Sequence, residues 1–301
     1  MMRYLLLLAF LALPIVVMAQ RPSMAPPVKE VIQESIGEQL FNDPILSVNG
    51  EISCTTCHPK DHSFASRGLP FSLVGGTLAR KAPSLLNRSQ GKSFFWDGRA
   101  SSLEEQVIGP LTNPAEMGRQ SIQDVLDRLQ IKYPMIDSEE KLTKAIADYE
   151  RTLSSPPNRL DRYTKGEETL EVSEVRGWNL FRGKAECYLC HSPKTNFTDE
   201  KYHNTGIGIG QRKDGSQYTY DRGRFDVTGV DEEMCAYKTP GLKGCKDSGP
   251  YMHNASIQTL EEVVEFYDAG GFPNRYLDKG IRPLHLNRQE KADLVLFLKS
   301  L

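Results

Sequence analysis

The chain lacks most of what would direct it to a nucleic acid or a membrane interior. Its 301 residues carry 37 Lys+Arg against 39 Asp+Glu, so no excess of one sign offers a phosphate backbone a footprint. Apolar residues run together only over residues 5–18. That is short of the ~20 residues a spanning helix needs, and Pro14 interrupts it. With Arg3 ahead and Val17-Met18-Ala19 behind, the stretch reads as a secretory signal peptide, residues 1–19, and a retained anchor is the competing reading. No cysteine follows the leader to take a lipid. Strand patterns are few, and the fold class expected is mainly α. Cysteine is scarce as well, with six in all, and four of them are used in one way.

Those four form Cys54-Thr55-Thr56-Cys57-His58 and Cys187-Tyr188-Leu189-Cys190-His191. In a CxxCH the two thiols can add across the vinyl groups of one haem, which brings the adjacent histidine under the iron as its ligand. Two covalently attached haem c groups are expected, and for an exported bacterial chain that means the periplasm. The competing readings are a zinc cage of Cys187 and Cys190 with Cys235 and Cys245, or a thiol-disulfide exchange motif. Cys235 and Cys245, left over once haem has claimed four, either close a small disulfide loop or stay as buried thiols.

In chain order, residues 20–27 are polar and proline-bearing and read as a tail. Apolar spacing predicts a helix over residues 31–42, leading to the first CxxCH. Gly37-Glu38-Gln39-Leu40-Phe41 has an echo in Gly177-Trp178-Asn179-Leu180-Phe181, so the same GxxLF introduces both motifs. Residues 102–107 echo residues 259–264, each reading as a capping box that opens a helix, and Phe95-Trp96-Asp97-Gly98 aligns with Met252-His253-Asn254-Ala255. Two more helices are expected between residues 121 and 153, a break at residues 154–158, and a last helix from Asn287. The repeat predicts two cytochrome c-like helical domains, residues 20–155 and 156–301 after the leader, each around one haem.

Laid over each other, the repeats differ where it matters. Tyr267 follows Leu260, Val263 and Val264 on one helix face and could reach an iron, whereas the matching place in the first repeat is Pro110, which should stop its helix and has no donor atom. The first haem would then keep an open side for peroxide, and the second would pass electrons. The competing reading of Tyr267 is a core tyrosine with an ordinary acceptor. Gln106 and Glu116 lie near the open haem if the repeat holds, and a buried glutamate suits the proton transfer that O–O cleavage requires. The bland alternatives are a helix-terminal charge for Glu116 and a core aromatic for Trp96.

At these residues the chain resembles the bacterial di-haem cytochrome c peroxidase and MauG family. The two CxxCH motifs carry the resemblance, with residues 94–100, Gln106, residues 114–117, 238–240, 250–254 and 259–271. It implies a peroxidatic N-terminal haem and an electron-transfer C-terminal haem, with Trp96 between them and Gln106 and Glu116 as catalytic residues. Hydrogen peroxide would be the oxidant. The partner would be a small periplasmic electron donor, a cytochrome c or cupredoxin, or in MauG-like fashion a protein substrate. The resemblance also makes Tyr267 the distal ligand of the second haem, where ordinary peroxidases have methionine. No histidine or methionine occurs in residues 63–80 to cap the first iron, and His62 is expected to be structural. The family's calcium, held between its domains, is opposed here by Lys81, because a lysine repels the ion even if carbonyls around Ser248 and Pro250 remain.

Overall fold

A computed structural model describes residues 34–118 and 121–301. The expected leader, the tail and the first residues of the expected opening helix lie outside the described residues. Short helices follow one another with irregular chain between them: α1 (Ile36–Asn42), α2 (Cys54–Cys57), α3 (Leu103–Thr112), α4 (Ile122–Leu129), α5 (Glu139–Thr152), α6 (Arg159–Thr164), α7 (Val172–Arg182), α8 (Phe225–Thr228), α9 (Leu260–Asp268) and α10 (Arg288–Lys299). Strands are few. β1 (Tyr202–His203) pairs antiparallel with β4 (Tyr237–Lys238), and β2 (Ile209–Gln211) with β3 (Gln217–Thr219). No helix among the described residues is long and apolar enough to cross a membrane.

The two GxxLF echoes have one physical purpose. α1 crosses α5 so closely that a Cβ on Gly37 would stand 2.0 Å from the Ala145 carbonyl oxygen and 2.9 Å from the Tyr149 Cβ. α7 crosses α10 in the same way, a Cβ on Gly177 meeting the Asp293 oxygen at 2.1 Å and the Phe297 Cβ at 2.7 Å. Only glycine permits either approach. The leucine and phenylalanine that follow in each motif enter the cores these crossings close. One core draws Leu40, Phe41, Val107, Leu111, Leu142 and Ile146 from residues up to Leu153, and another draws Phe181, Phe197, Leu260, Val264, Leu294 and Phe297 from Leu160 onward.

Three local expectations are corrected. α1 begins at Ile36, because the Ser35 hydroxyl accepts from the Glu38 N–H and caps it there. Pro110 does not stop α3, which runs on to Thr112, with the Asn113 N–H still donating to the Gly109 carbonyl. A proline so near the end forfeits one ladder bond, and its ring is tolerated. Of the two capping boxes expected from the repeat, the one at α9 is complete, Thr259 and Glu262 bonding reciprocally. At α3 the Ser102 hydroxyl does its half, but the Glu105 carboxylate accepts from Ser101 instead.

Candidate functional site

Each CxxCH sits on a single tight turn, α2 for the first and residues 187–189 for the second. In both, the histidine Nδ1 bonds to the carbonyl six residues on: His58 to Phe64 at 2.7 Å and His191 to Phe197 at 2.8 Å. Two successive left-handed residues aim that carbonyl, Ser63 and Phe64 at φ 52° and 53°, Asn196 and Phe197 at φ 57° and 59°. Such backbone is costly away from glycine and is kept where a site requires it. With Nδ1 engaged, the free nitrogen of each ring is Nε2, the arrangement expected of a metal-bound imidazole. Burial lowers the pKa of both rings against the opposing pull of those bonds, which favours the neutral form a metal needs.

A cavity of about 1100 Å³ opens over the first motif. Cys54, Cys57, His58, Trp96, Gln106, Pro110 and Glu116 all line it, so the residues singled out in the first repeat come together. Gln106 follows Leu103 on α3, and its buried Oε1 has no hydrogen-bond partner. Glu116 lies in the turn after α3, half-buried, its Oε1 accepting from Asn113 Nδ2 at 2.7 Å. Burial raises its pKa, against the opposite effects of Asn113 and the Arg99 charge. Its carboxylate in turn acts with burial to raise the Cys57 thiol to about 11, which places Glu116 facing the first motif. Pro110 presents an apolar ring to the same space. The loop after the motif is tied to the Glu116 turn, the Leu73 N–H donating to the Ala115 carbonyl at 3.0 Å.

Cys187, Cys190, His191 and Tyr267 are not part of that cavity. They form their own group. The Tyr267 phenol pKa is pushed up by burial and then by the nearby Cys190 and Cys187 sulfurs, so the last turn of α9 does bring this side chain to the second motif. The zinc alternative is not assembled. Among the described residues the one group of three or more ligating side chains within reach of each other is Cys190, Asp199 and His203. Cys235 and Cys245 are buried free thiols, pointing at the carbonyls of Asp221 and Leu298 respectively.

The two repeats exchange partners between the motifs. The Lys238 N–H donates to the Trp96 carbonyl at 2.8 Å, and the Lys81 N–H to the carbonyl of His253, the residue that aligns with Trp96, at 2.6 Å. The Trp96 indole N–H donates to the Lys81 carbonyl at 2.7 Å, and its ring meets the His253 ring edge-on at 6.4 Å. Lys81 itself is buried, its ammonium donating to the carbonyls of Pro250, at 2.5 Å, and Ser248. The carbonyls weighed for a calcium ion are thus taken by a side-chain cation. His62 is structural as expected, Nε2 bonding the Gly249 carbonyl at 2.5 Å. Sequence reasoning missed the reach of Lys81 and the carboxyl of Glu150, although Lys81-Ala82-Pro83 repeats as Lys238-Thr239-Pro240 and Glu150 directly follows the apolar stripe of α5.

The donor set fits haem c at both motifs: paired sulfurs one turn apart, an imidazole with Nε2 free, and, over the first, a large cavity with an unpartnered amide oxygen. Comparison with known proteins agrees. The profile of the family described as di-haem cytochrome c peroxidase matches residues 32–169. The methylamine utilization protein MauG of Methylorubrum extorquens is 36% identical over 283 residues, 89% of this chain and 77% of that protein. The cytochrome c551 peroxidase of Nitrosomonas europaea is 30% identical over 296 residues, covering 91% and 83%. A crystal structure of a MauG-like protein associated with microbial copper homeostasis superposes with TM-score 0.76 at 29% identity, over 88% of this chain and 87% of that one. The chain belongs to the di-haem cytochrome c peroxidase and MauG family.

Proposed function

We propose that the chain is a hydrogen-peroxide-dependent oxidoreductase of the periplasm, with one covalently attached haem c in each of two cytochrome c-like helical domains, residues 20–155 and 156–301. Bound haem iron supplies the centre at which the O–O bond is cleaved and through which electrons pass. Cys54, Cys57 and His58 hold the first haem, and Cys187, Cys190 and His191 the second. Over the first, Pro110 offers no ligand atom, which leaves room for peroxide. Glu116 takes the proton from the near peroxide oxygen and returns it to the departing one, and its raised pKa suits both halves of that transfer. Asn113 holds the carboxyl in place. Gln106 offers the unpartnered Oε1 and its amide N–H to the same peroxide. Trp96, anchored through Nε1, lies between the two sites as the path for oxidising equivalents.

The observation that carries this reading is the asymmetry of the distal sides. Pro110 lines the cavity over the first motif, whereas Tyr267 lies near the cysteines of the second, where it would close the distal side of a bound haem. Electron paramagnetic resonance of the oxidised protein should give one high-spin and one low-spin ferric signal. Two low-spin signals would make the chain a non-enzymatic di-haem electron carrier instead.

Tyr267 also bears on the partner. A phenolate ligand favours the ferric state, where a thioether would favour storing an electron. This supports MauG-like oxidation of residues on a partner protein over reduction of peroxide with electrons from a small cytochrome c or cupredoxin. Peroxide added alone should then leave the protein in a long-lived oxidised state. Consumption of peroxide only in the presence of a reduced cytochrome would reverse the preference.

A further inference from the structure

One carboxyl in the first cavity has no place in the mechanism above. Glu150, on α5, is 4% exposed and lines the same cavity as Cys54, Cys57 and His58. Its Oε2 has no hydrogen-bond partner. Burial pushes its pKa up to about 8, with Arg151 opposing and Glu104 assisting. Arg151 is no counter-ion for it, since that guanidinium is held by Glu104 at 2.7 Å and Asp148 at 3.0 Å. From the other elements packed on α5, the turn at residues 88–90 brings Arg88, already paired with Glu200 at 2.7 Å. The charge of Glu38 on α1 falls on Tyr149, and α2 brings the Cys54 thiol. α4 joins α5 through Val125 and Leu129 in the apolar core.

The internal repeat shows that packing does not require this carboxyl. Gly37 fixes the register of one helix crossing on Ala145 and Tyr149, and Gly177 fixes the other on Asp293 and Phe297. By that register Glu150 corresponds to Leu298, a buried apolar residue of the second core. A carboxyl therefore stands in the cavity of the open site where its counterpart has a leucine. An acid so placed stays neutral until positive charge appears beside it, because an unpaired carboxylate is disfavoured in a low-dielectric space.

We infer that Glu150 is a proton-holding residue of the first haem site, protonated when the bound haem is reduced and ionised when it is oxidised. The inference rests on the haem reading given above. One electron leaves for peroxide in turnover, or for a mediator in a titration, and the Glu150 carboxyl proton leaves for solvent, so the charge of the cavity is unchanged. Glu150 is a positioning residue in this sense. It acts on the energy of the iron and does not touch the peroxide.

The test is a mediated spectroelectrochemical titration of the holoprotein at pH values below and above about 8, with haem content counted first. In the wild type the potential of the high-spin haem should fall as pH rises. In Glu150→Gln and Glu150→Leu it should stay level over the same range, while the low-spin haem is unchanged in all three. A Glu150→Gln profile that overlays the wild type would overturn the inference, as would a slope that persists in Glu150→Gln and vanishes in Glu116→Gln. Should the leucine variant fail to retain haem, the isosteric glutamine still decides. Fewer than two haems in the wild type would sink the haem reading itself, a result the count separates from a flat titration.

Discussion

Glu116 is the residue on which the proposed chemistry turns, and its acid-base role has a definite sign. Burial raises its pKa above the ordinary carboxyl value, so the carboxylate that accepts the peroxide proton is lost as pH falls through that raised value. Peroxide turnover should therefore decline on acidification, and Glu116→Gln should remove that limb of the profile while lowering kcat/KM by about 100- to 10,000-fold. Tyr267→Phe should abolish the low-spin ferric signal, or convert it to that of a different ligand pair, with the high-spin signal untouched; an unaltered low-spin signal would remove Tyr267 from the iron. The repeat singled these two residues out by letting one half be read against the other, but their roles as acid-base and ligand came from the family resemblance, since spacing alone leaves a helix-terminal charge and a core tyrosine as readings. Glu150 was not, since nothing in the spacing of Leu142, Ile146 and Tyr149 says that the next side chain on that face is a carboxyl. The left-handed pair before each histidine's acceptor is half legible: Asn196 tolerates that conformation, but Ser63 and the two phenylalanines give no signal.

Among the elements, the two crossings of α1 on α5 and of α7 on α10 make the firmest expectation. Each has a glycine whose place a methyl group cannot share with the facing backbone. Gly37→Ala and Gly177→Ala should each destabilise the protein by about 1–3 kcal/mol through forced separation of the helices. Chemical denaturation of the holoprotein checks this, and substitution at the exposed Glu139, the first residue of α5, serves as the neutral comparison. The GxxLF pattern revealed that two helices open alike, but what each glycine packs against lies about a hundred residues downstream and carries no local mark. Helix ends were read less well for a related reason. Pro110 breaks a rule of local propensity near the end of α3, where only one ladder bond is at stake, and Ser35 captures the start of α1 inside the apolar period rather than at its beginning.

At the scale of the whole molecule, the two motif-bearing halves are joined by the reciprocal bonds of Lys81 and Lys238 and by the ammonium of Lys81 on the carbonyls of Ser248 and Pro250. Removing that ammonium leaves two half-buried carbonyls without that partner, so Lys81→Met should cost about 1–3 kcal/mol and loosen the Trp96 anchor as well. A changed fluorescence of Trp96, measured in a Trp178→Phe background, would report the loosening. Conversely, prolonged treatment of the wild type with a divalent-ion chelator should alter neither its spectrum nor its response to peroxide. The family resemblance set Lys81 against the carbonyls around Ser248 and Pro250, but its direct bonding to them has no local mark, because these main-chain atoms are 167 and 169 residues away. A positive charge that is part of the polypeptide is made with it, cannot be leached from it, and needs no loading step once the chain has folded. An enzyme built this way would be ready in surroundings starved of alkaline-earth ions, where a protein that must first capture one from outside would sit idle.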